Sequence, residues 1–148
     1  MPANTDPIWT KNGKVGSVLV TAANTSSQGG GTIGTDIFLA FTADSTNGSF
    51  VQRVRCIPTA TTPTTTTATV GRIFISTQTS GSTTSSNTYL WDEIVLPALS
   101  ADNASSAVPE FDIILNIPLP ASNTILVTNH AAPAANTSWR FTVIGGDY

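Results

Sequence analysis

The sequence predicts an all-β fold, an eight-stranded antiparallel β-sandwich, and three observations support that prediction. Apolar and polar residues alternate with a period of two over eight segments, which is the pattern of strands with one buried face. β-branched and aromatic residues fill these segments, whereas Gly, Pro, Asn and Ser lie between them, as expected of strands separated by turns. No segment carries the apolar i, i+3, i+4, i+7 stripe of an amphipathic helix.

Each of the eight segments has features of a strand. In chain order they are "KVGSVLVTA" (14–22), "TDIFLAFTA" (35–43), "SFVQRVRCI" (49–57), "ATVGRIFIST" (68–77), "YLWDEIVL" (89–96), "EFDIILNIPL" (110–119), "TILVTNHA" (124–131) and "SWRFTVIGG" (138–146). The turn sequences "SSQGGGTIG" and "DSTNG" follow the first and second, and the fourth follows a threonine run. The fifth to the eighth each carry at least two β-branched residues and are bounded by Pro, Asn or Gly.

The third segment shows the alternation most clearly. Phe50, Val54 and Cys56 are predicted to lie on one face of this strand, and Arg53 and Arg55 on the other. One face of the strand is therefore expected in the core and the other in water.

Eight such strands favour a jelly roll, because short turns alternate with the longer Gly, Ser and Thr loops that strands crossing between two sheets require. An immunoglobulin-like sandwich is the alternative. Its paired cysteines are not present, since the chain has one cysteine, and its tyrosine corner cannot be identified.

The run "TATTPTTTTATVGRIFI" (59–75) bears on domain organisation. Splitting the chain at the threonines would leave two pieces, each a single sheet whose apolar face has no partner. The run is therefore predicted to be a loop between the third and fourth strands and a candidate contact surface. The prediction is an extended amino-terminal arm, residues 1–13, followed by one sandwich domain, residues 14–148.

Composition limits the classes of partner. Charged residues make up 10% of the 148 residues and the formal net charge is -3, so the clustered Lys and Arg that attract nucleic acid are absent. No apolar stretch approaches the length of a membrane span, and no signal peptide is visible. With one cysteine, synthesis in a reducing cytosol is expected.

The residues that could support catalysis are few. His130 is the sole histidine, so any nucleophilic triad would depend on it, and its position suggests a polar residue at a strand end. Glu110 and Asp112 share a strand face and could in principle serve glycoside hydrolysis, but the solvent face of a strand is the simpler interpretation. No cofactor or metal is expected, and the protein is predicted not to be an enzyme.

The three tryptophans could form a sugar-stacking platform. Trp91 alternates with Tyr89, and Trp139 with Phe141, so these pairs are predicted to pack in the core or at a subunit contact. Trp9 lies in the arm and has no strand of its own.

The pattern "VGRIFISTQTS...YLWDEIVLPA", followed by "IPLPASNTILVTNHAAPAANTSWRFTVIGGDY", resembles a group of small structural proteins of tailed bacteriophages, the capsid decoration or cement proteins, often built on a jelly roll. The likeness covers residues 68–148, and the segment "KVGSVLVTAANTSSQGGGTIGTDIFLAFTA" (14–43) more loosely. It implies a non-enzymatic virion protein on the outer capsid surface, made in the host cytoplasm. Its implied partner is the major capsid protein, with the chain itself a dimer or trimer. A receptor- or glycan-binding jelly-roll module of a phage tail or head fibre is the alternative.

The arm carries the first candidate capsid contact. Pro2 and Pro7 disfavour regular structure there, yet Ile8 and Trp9 place a large apolar surface in the segment, of the kind that dominates interface energy. The arm could instead fold back over its own sandwich. Arg53 and Arg55, on the wet face of the third strand, complete the candidate interface.

Overall fold

A computed structural model of the chain describes residues 10–101 and 107–148. Its strands are β1 (Asn12–Val20), β2 (Gly31–Thr32), β3 (Phe38–Thr42), β4 (Ser49–Ala60), β5 (Thr64–Thr65), β6 (Thr69–Ser76), β7 (Ser82–Thr83), β8 (Thr88–Leu96), β9 (Ser100–Ala101), β10 (Phe111–Leu119), β11 (Thr124–Asn129) and β12 (Thr137–Asp147). No helix occurs in these two ranges. The all-β prediction is confirmed.

The long strands form two four-stranded antiparallel sheets. The first sheet has the order β1-β12-β4-β10 and the second has the order β3-β11-β6-β8. Two short ribbons, β2 with β7 and β5 with β9, lie outside them. The sheets bury a common apolar layer, so the arrangement is a sandwich.

The pairing of the long strands has a regular order. Numbered one to eight along the chain, strand one pairs with eight, two with seven, three with six and four with five. This is the pairing expected of a jelly roll. It differs from the sheets of an immunoglobulin domain, in which the first strand neighbours the second.

The eight predicted segments correspond to the eight long strands. β1 begins at Asn12, so it includes the last residues of the segment that was predicted to be an extended arm. Asn12 pairs with Asp147, and the backbone N–H of Lys11 donates to the carbonyl of Asp147 at 2.7 Å. The last strand is therefore long enough to hold the end of the arm.

The main core lies between the two sheets. Trp139 and Phe141 from β12, Ile73 from β6 and Val54 and Cys56 from β4 are all buried there. At roughly 1.5–3 kcal/mol for each large side chain removed from water, this layer is the main source of stability. A smaller cluster of Ile37, Phe74 and Leu126 is packed separately from it.

The prediction for the buried face of β4 was wrong at one residue. Val51 is fully buried, whereas Phe50 is only half-buried. The register of the pairing between β4 and β12 shifts between Ile144 and Gly145 of β12. The resulting β-bulge on β4 reverses the alternation for the residues that precede Arg53. Arg53 and Arg55 lie opposite the core, as predicted.

The threonine run connects β4 to β6, but part of it is anchored. Thr64 and Thr65 pair with Ala101 and Ser100. Thr66 is buried, and its hydroxyl accepts a hydrogen bond from the Leu99 N–H at 3.0 Å. Residues 61–63 and 66–68 lie outside strands, so the run is a loop, as predicted, that contains one short strand held by a pairing partner distant in sequence.

The sandwich is closed tightly between β1 and β3. A Cβ atom at Gly16 would overlap the carbonyl oxygen of Ala40 and would lie 3.1 Å from its carbonyl carbon. Only a glycine permits this approach of the two sheets. At the opposite side, β8 and β10 are the end strands of their sheets.

Candidate protein-binding surfaces

The predicted interface residues fall into two groups. Ile8 and Trp9 lie outside the described residues. Arg53 and Arg55 are on β4 and project from the outward face of the first sheet, where Arg53 is opposite Ile144 and Arg55 is opposite Thr142. The structure therefore places two of the four candidates on one sheet face.

Arg55 is held in place by two carboxylates of β10. Its Nε lies 2.9 Å from Asp112 Oδ1, its Nη2 lies 3.1 Å from Asp112 Oδ2, and its Nη1 lies 2.9 Å from Glu110 Oε2. The hydrogen bond from Arg55 lowers the pKa of Asp112, and the same bond raises the pKa of Arg55. Both carboxylates that hydrolysis would need are thus bound to a guanidinium.

Arg53 is less completely paired. Its Nη1 lies 3.3 Å from Asp112 Oδ2, a carboxylate already bound to Arg55. Its Nε is buried and has no hydrogen-bond partner among the described residues. The pairs on this face are partly exposed, so each contributes little to stability, but together they fix the positions of the side chains.

Apolar side chains surround Arg53 on the same face. Val15 pairs with Ile144, Ile144 with Arg53, and Arg53 with Ile114, so one cross-strand row contains three aliphatic side chains. Val15 is 66% exposed and Ile114 is 60% exposed. With Phe50, which is half-buried and precedes the bulge, these residues form what we call the outer patch: Val15, Phe50, Ile114 and Ile144.

Three exposed apolar side chains lie along β8, where Tyr89 is opposite the core residue Ile75 on the inward side of the sheet and Val95 is opposite Val70 on the outward side. Tyr89 is 52% exposed, Trp91 is 46% exposed and Val95 is 74% exposed. We call these three residues the β8 edge, because β8 is an end strand of its sheet. Ile73 pairs with Asp92 and Phe74 with Leu90, so Trp91 is the extra residue of a β-bulge, a feature that re-aims a side chain.

The prediction that the aromatic pairs pack in the core or at a subunit contact is confirmed for one pair, and for the other the subunit contact stays a prediction. Trp139 and Phe141 are in the core, and the Trp139 ring meets Phe111 edge to face with centroids 5.9 Å apart. Tyr89 and Trp91 are about half exposed and do not belong to the core. Alternation placed both pairs on strand faces, but only the strand order decides which strand is at an edge.

The sole histidine belongs to a polar cluster on the second sheet. His130 is exposed, and its Nδ1 lies 3.2 Å from Nη2 of the buried Arg72. The Nε of Arg72 donates to Glu93 at 2.7 Å, and its Nη1 donates to the Asn24 carbonyl at 3.1 Å. Such a network satisfies a buried guanidinium, which gives His130 a structural contact at a strand end.

Other chemistry has little support in the described ranges. Within residues 10–101 and 107–148, no three His, Cys, Asp or Glu side chains come together as a metal site would require. Burial raises the pKa of the Cys56 thiol to about 12, so the reactive thiolate is disfavoured there. In the same part of the chain, no helix has the length and apolar character to cross a membrane.

The chain matches no protein-family model and no curated protein. The likeness to phage decoration proteins therefore rests on the quoted strand patterns alone.

Proposed function

We propose that the protein is a non-enzymatic structural protein of a phage virion, which binds the outer surface of the assembled capsid and stabilises it. The major capsid protein is its partner, and it acts as a dimer or trimer on the shell. The observation that supports this proposal best is the β8 edge, where three large apolar side chains remain in water on the end strand of a sheet.

An end strand of this kind is well suited to binding another chain. Sheet edges carry backbone N–H and C=O groups without a partner strand, and proteins usually protect them with charges, prolines or short strands. β8 carries such protection at Asp92, Glu93 and its β-bulge, but it is nine residues long, and its aromatic side chains can supply the buried anchors that carry most of the energy of an interface. An extended segment of a capsid subunit is the expected occupant.

Stabilisation of the shell would follow from mass action. A protein that binds the assembled capsid and not its free subunits lowers the free energy of the assembled state. Many copies on one shell add their contributions. This mechanism requires a binding surface and no catalytic group, consistent with the placement of His130, Glu110 and Asp112 in ion-pair and hydrogen-bond contacts.

A matched pair of substitutions tests the proposal. Val95→Lys places a charge within the β8 edge, and Val15→Lys makes the same change at a similarly exposed valine on β1, an end strand of the other sheet. In co-sedimentation with capsids that lack the protein, Val95→Lys should weaken binding at least tenfold, equivalent to about 1.4 kcal/mol, whereas Val15→Lys should bind normally.

Both variants must first show cooperative melting, so that a loss of binding is not a loss of folding. Equal binding of the two folded variants would reject the β8 edge as the capsid contact. If the unaltered protein did not bind capsids at all, and labelled electron microscopy placed it on the tail, the decoration function itself would be rejected.

A second candidate function has one supporting observation. Tyr89 and Trp91 are two residues apart and both about half exposed, and exposed aromatic rings are suited to stacking on sugars. The alternative is therefore a receptor- or glycan-binding module of a tail or head fibre. Binding on a glycan array that is lost in Trp91→Ala would favour it over the capsid proposal.

A further inference from the structure

The outer patch is a surface of the first sheet whose occupant can be inferred. The apolar side chains of the outer patch surround the incompletely paired guanidinium of Arg53. An apolar surface of this kind around a cation suits an aromatic side chain, because a ring face attracts a guanidinium and its body covers aliphatic groups.

The chain itself enters the described structure beside this patch. The side chain of Thr10 rests against Gly146, where a Cβ atom would lie 2.7 Å from the Thr10 Cβ. Gly146 is two residues beyond Ile144 on β12 and has the same outward orientation. Lys11 is already bound to Asp147. The path of the chain at Thr10 therefore starts over the outward face of the first sheet.

The residues that precede Thr10 have the required chemistry. They are Ile8 and Trp9, the two large apolar residues of the arm. Consecutive Cα atoms are about 3.8 Å apart, and Gly146 and Ile144 are separated by about 7 Å along the strand. A tryptophan next to Thr10 can therefore reach the row of Ile144, Arg53 and Ile114.

We propose that the outer patch is the docking site of Ile8 and Trp9 of the same chain, with the Trp9 indole against Arg53. Docking within one chain is favoured because Thr10 is already fixed, so that few residues lose conformational freedom. The same segment of a second copy would have to order a longer stretch. The inference goes beyond the proposed function and concerns the free protein, whether or not it binds a capsid.

A cross-link that leaves Ile8 and Trp9 intact tests the docking. In Asp6→Cys with Gln52→Cys, one thiol precedes the apolar pair and the other is exposed in the bulge beside Arg53. Cys56 is buried, with a pKa of about 12, and does not compete. Mild oxidation of dilute protein should join the two cysteines within one chain.

The dependence on the patch separates docking from chance collision. Ile8→Ser with Trp9→Ser should abolish cross-linking within the chain, and Ile114→Lys or Val15→Lys should reduce it several-fold. Val95→Lys, on the other sheet, should have no effect. Cross-linking that is insensitive to Ile8 and Trp9 would overturn the proposal, as would a covalent dimer, which would assign the occupant to a second copy.

Fluorescence quenching provides an independent measurement. In a Trp91→Phe background the emission comes from Trp9 and from Trp139, which is in the core. Docking predicts that acrylamide quenches little of this emission, and that Ile114→Lys increases the quenching. Strong quenching that is unchanged by Ile114→Lys would refute docking, while capsid co-sedimentation of the same variants reports separately on the proposed function.

Discussion

Gly16→Ala is expected to destabilise the protein strongly, although it adds a single methyl group. The added Cβ would overlap the carbonyl oxygen of Ala40 by about an ångström or more, judged against ordinary C···O contacts of about 3.3–3.6 Å. It would also lie 3.3 Å from the Phe41 Cα. All these neighbours are backbone atoms of β3, so the sheets must move apart.

The magnitude follows from two opposing effects. Overpacking costs about 1–3 kcal/mol and sometimes more, while replacing a glycine stabilises by about 0.4–1 kcal/mol through the unfolded chain. The obstruction is rigid, so we expect a net loss of about 2–3 kcal/mol. For a domain of this size that corresponds to a decrease in melting temperature of about 4–12 °C.

The control is Gly13→Ala on the same strand. A Cβ at Gly13 meets no atom within 4 Å, so this variant should be as stable as the parent or slightly more stable. Urea unfolding of both variants, with unchanged m-values, measures the difference. If Gly16→Ala and Gly13→Ala had equal stability, the close contact between β1 and β3 would not exist.

Four further predictions follow from single features. Cys56, whose pKa burial raises to about 12, should react with a thiol reagent only after unfolding, and rapid reaction of the native protein would contradict its burial. The Arg55 hydrogen bond lowers the pKa of Asp112 below 3.8, so its contribution to stability is complete above that pH and is lost as the pH falls through the lower folded pKa. Acid titration of Asp112→Asn should therefore show a shallower loss of stability below about pH 4, and an unchanged profile would contradict the bond. Thr66→Ala removes the hydroxyl that accepts a hydrogen bond from Leu99 and should lower the free energy of unfolding in urea by about 1–2 kcal/mol. A loss near zero would mean that this hydrogen bond does not anchor the threonine run. Deleting residues 1–9 should lower the melting temperature and leave capsid binding intact, whereas a stable truncation that no longer binds capsids would instead support Ile8 and Trp9 as the capsid anchor.

The sequence was sufficient to predict the eight long strands, because alternation and composition are local properties of each strand. The β-bulges were not predictable, since the extra residue at Trp91 and the shift that exchanges Phe50 for Val51 depend on the partner strand. The short strand at Thr64 had no pattern of its own for the same reason. Its pairing with Ala101 is a contact between distant parts of the chain.

For the candidate surfaces, the sequence indicated which face of a strand a side chain is on, but not always whether that side chain is buried or exposed. Arg53 and Arg55 were expected on the wet face and are found there. Arg72 is buried although it lies on an outward strand position, because Asn24 and Glu93 cover it. The exposure of Tyr89 and Trp91 depends on β8 being the end strand, and strand order is not encoded in alternation.

The pairing of Asn12 with Asp147 makes the chain a natural candidate for circular permutation. A short linker from Tyr148 to Thr10 would join neighbouring positions, and new ends could be opened among the exposed residues 61–63, where cuts are best tolerated. Those residues follow Ala60, at the opposite end of β4 from Ser49, which pairs with Asp147. A cargo protein fused to the new ends would therefore be attached at the end of the sandwich opposite Asp147, and all eight long strands would stay uncut.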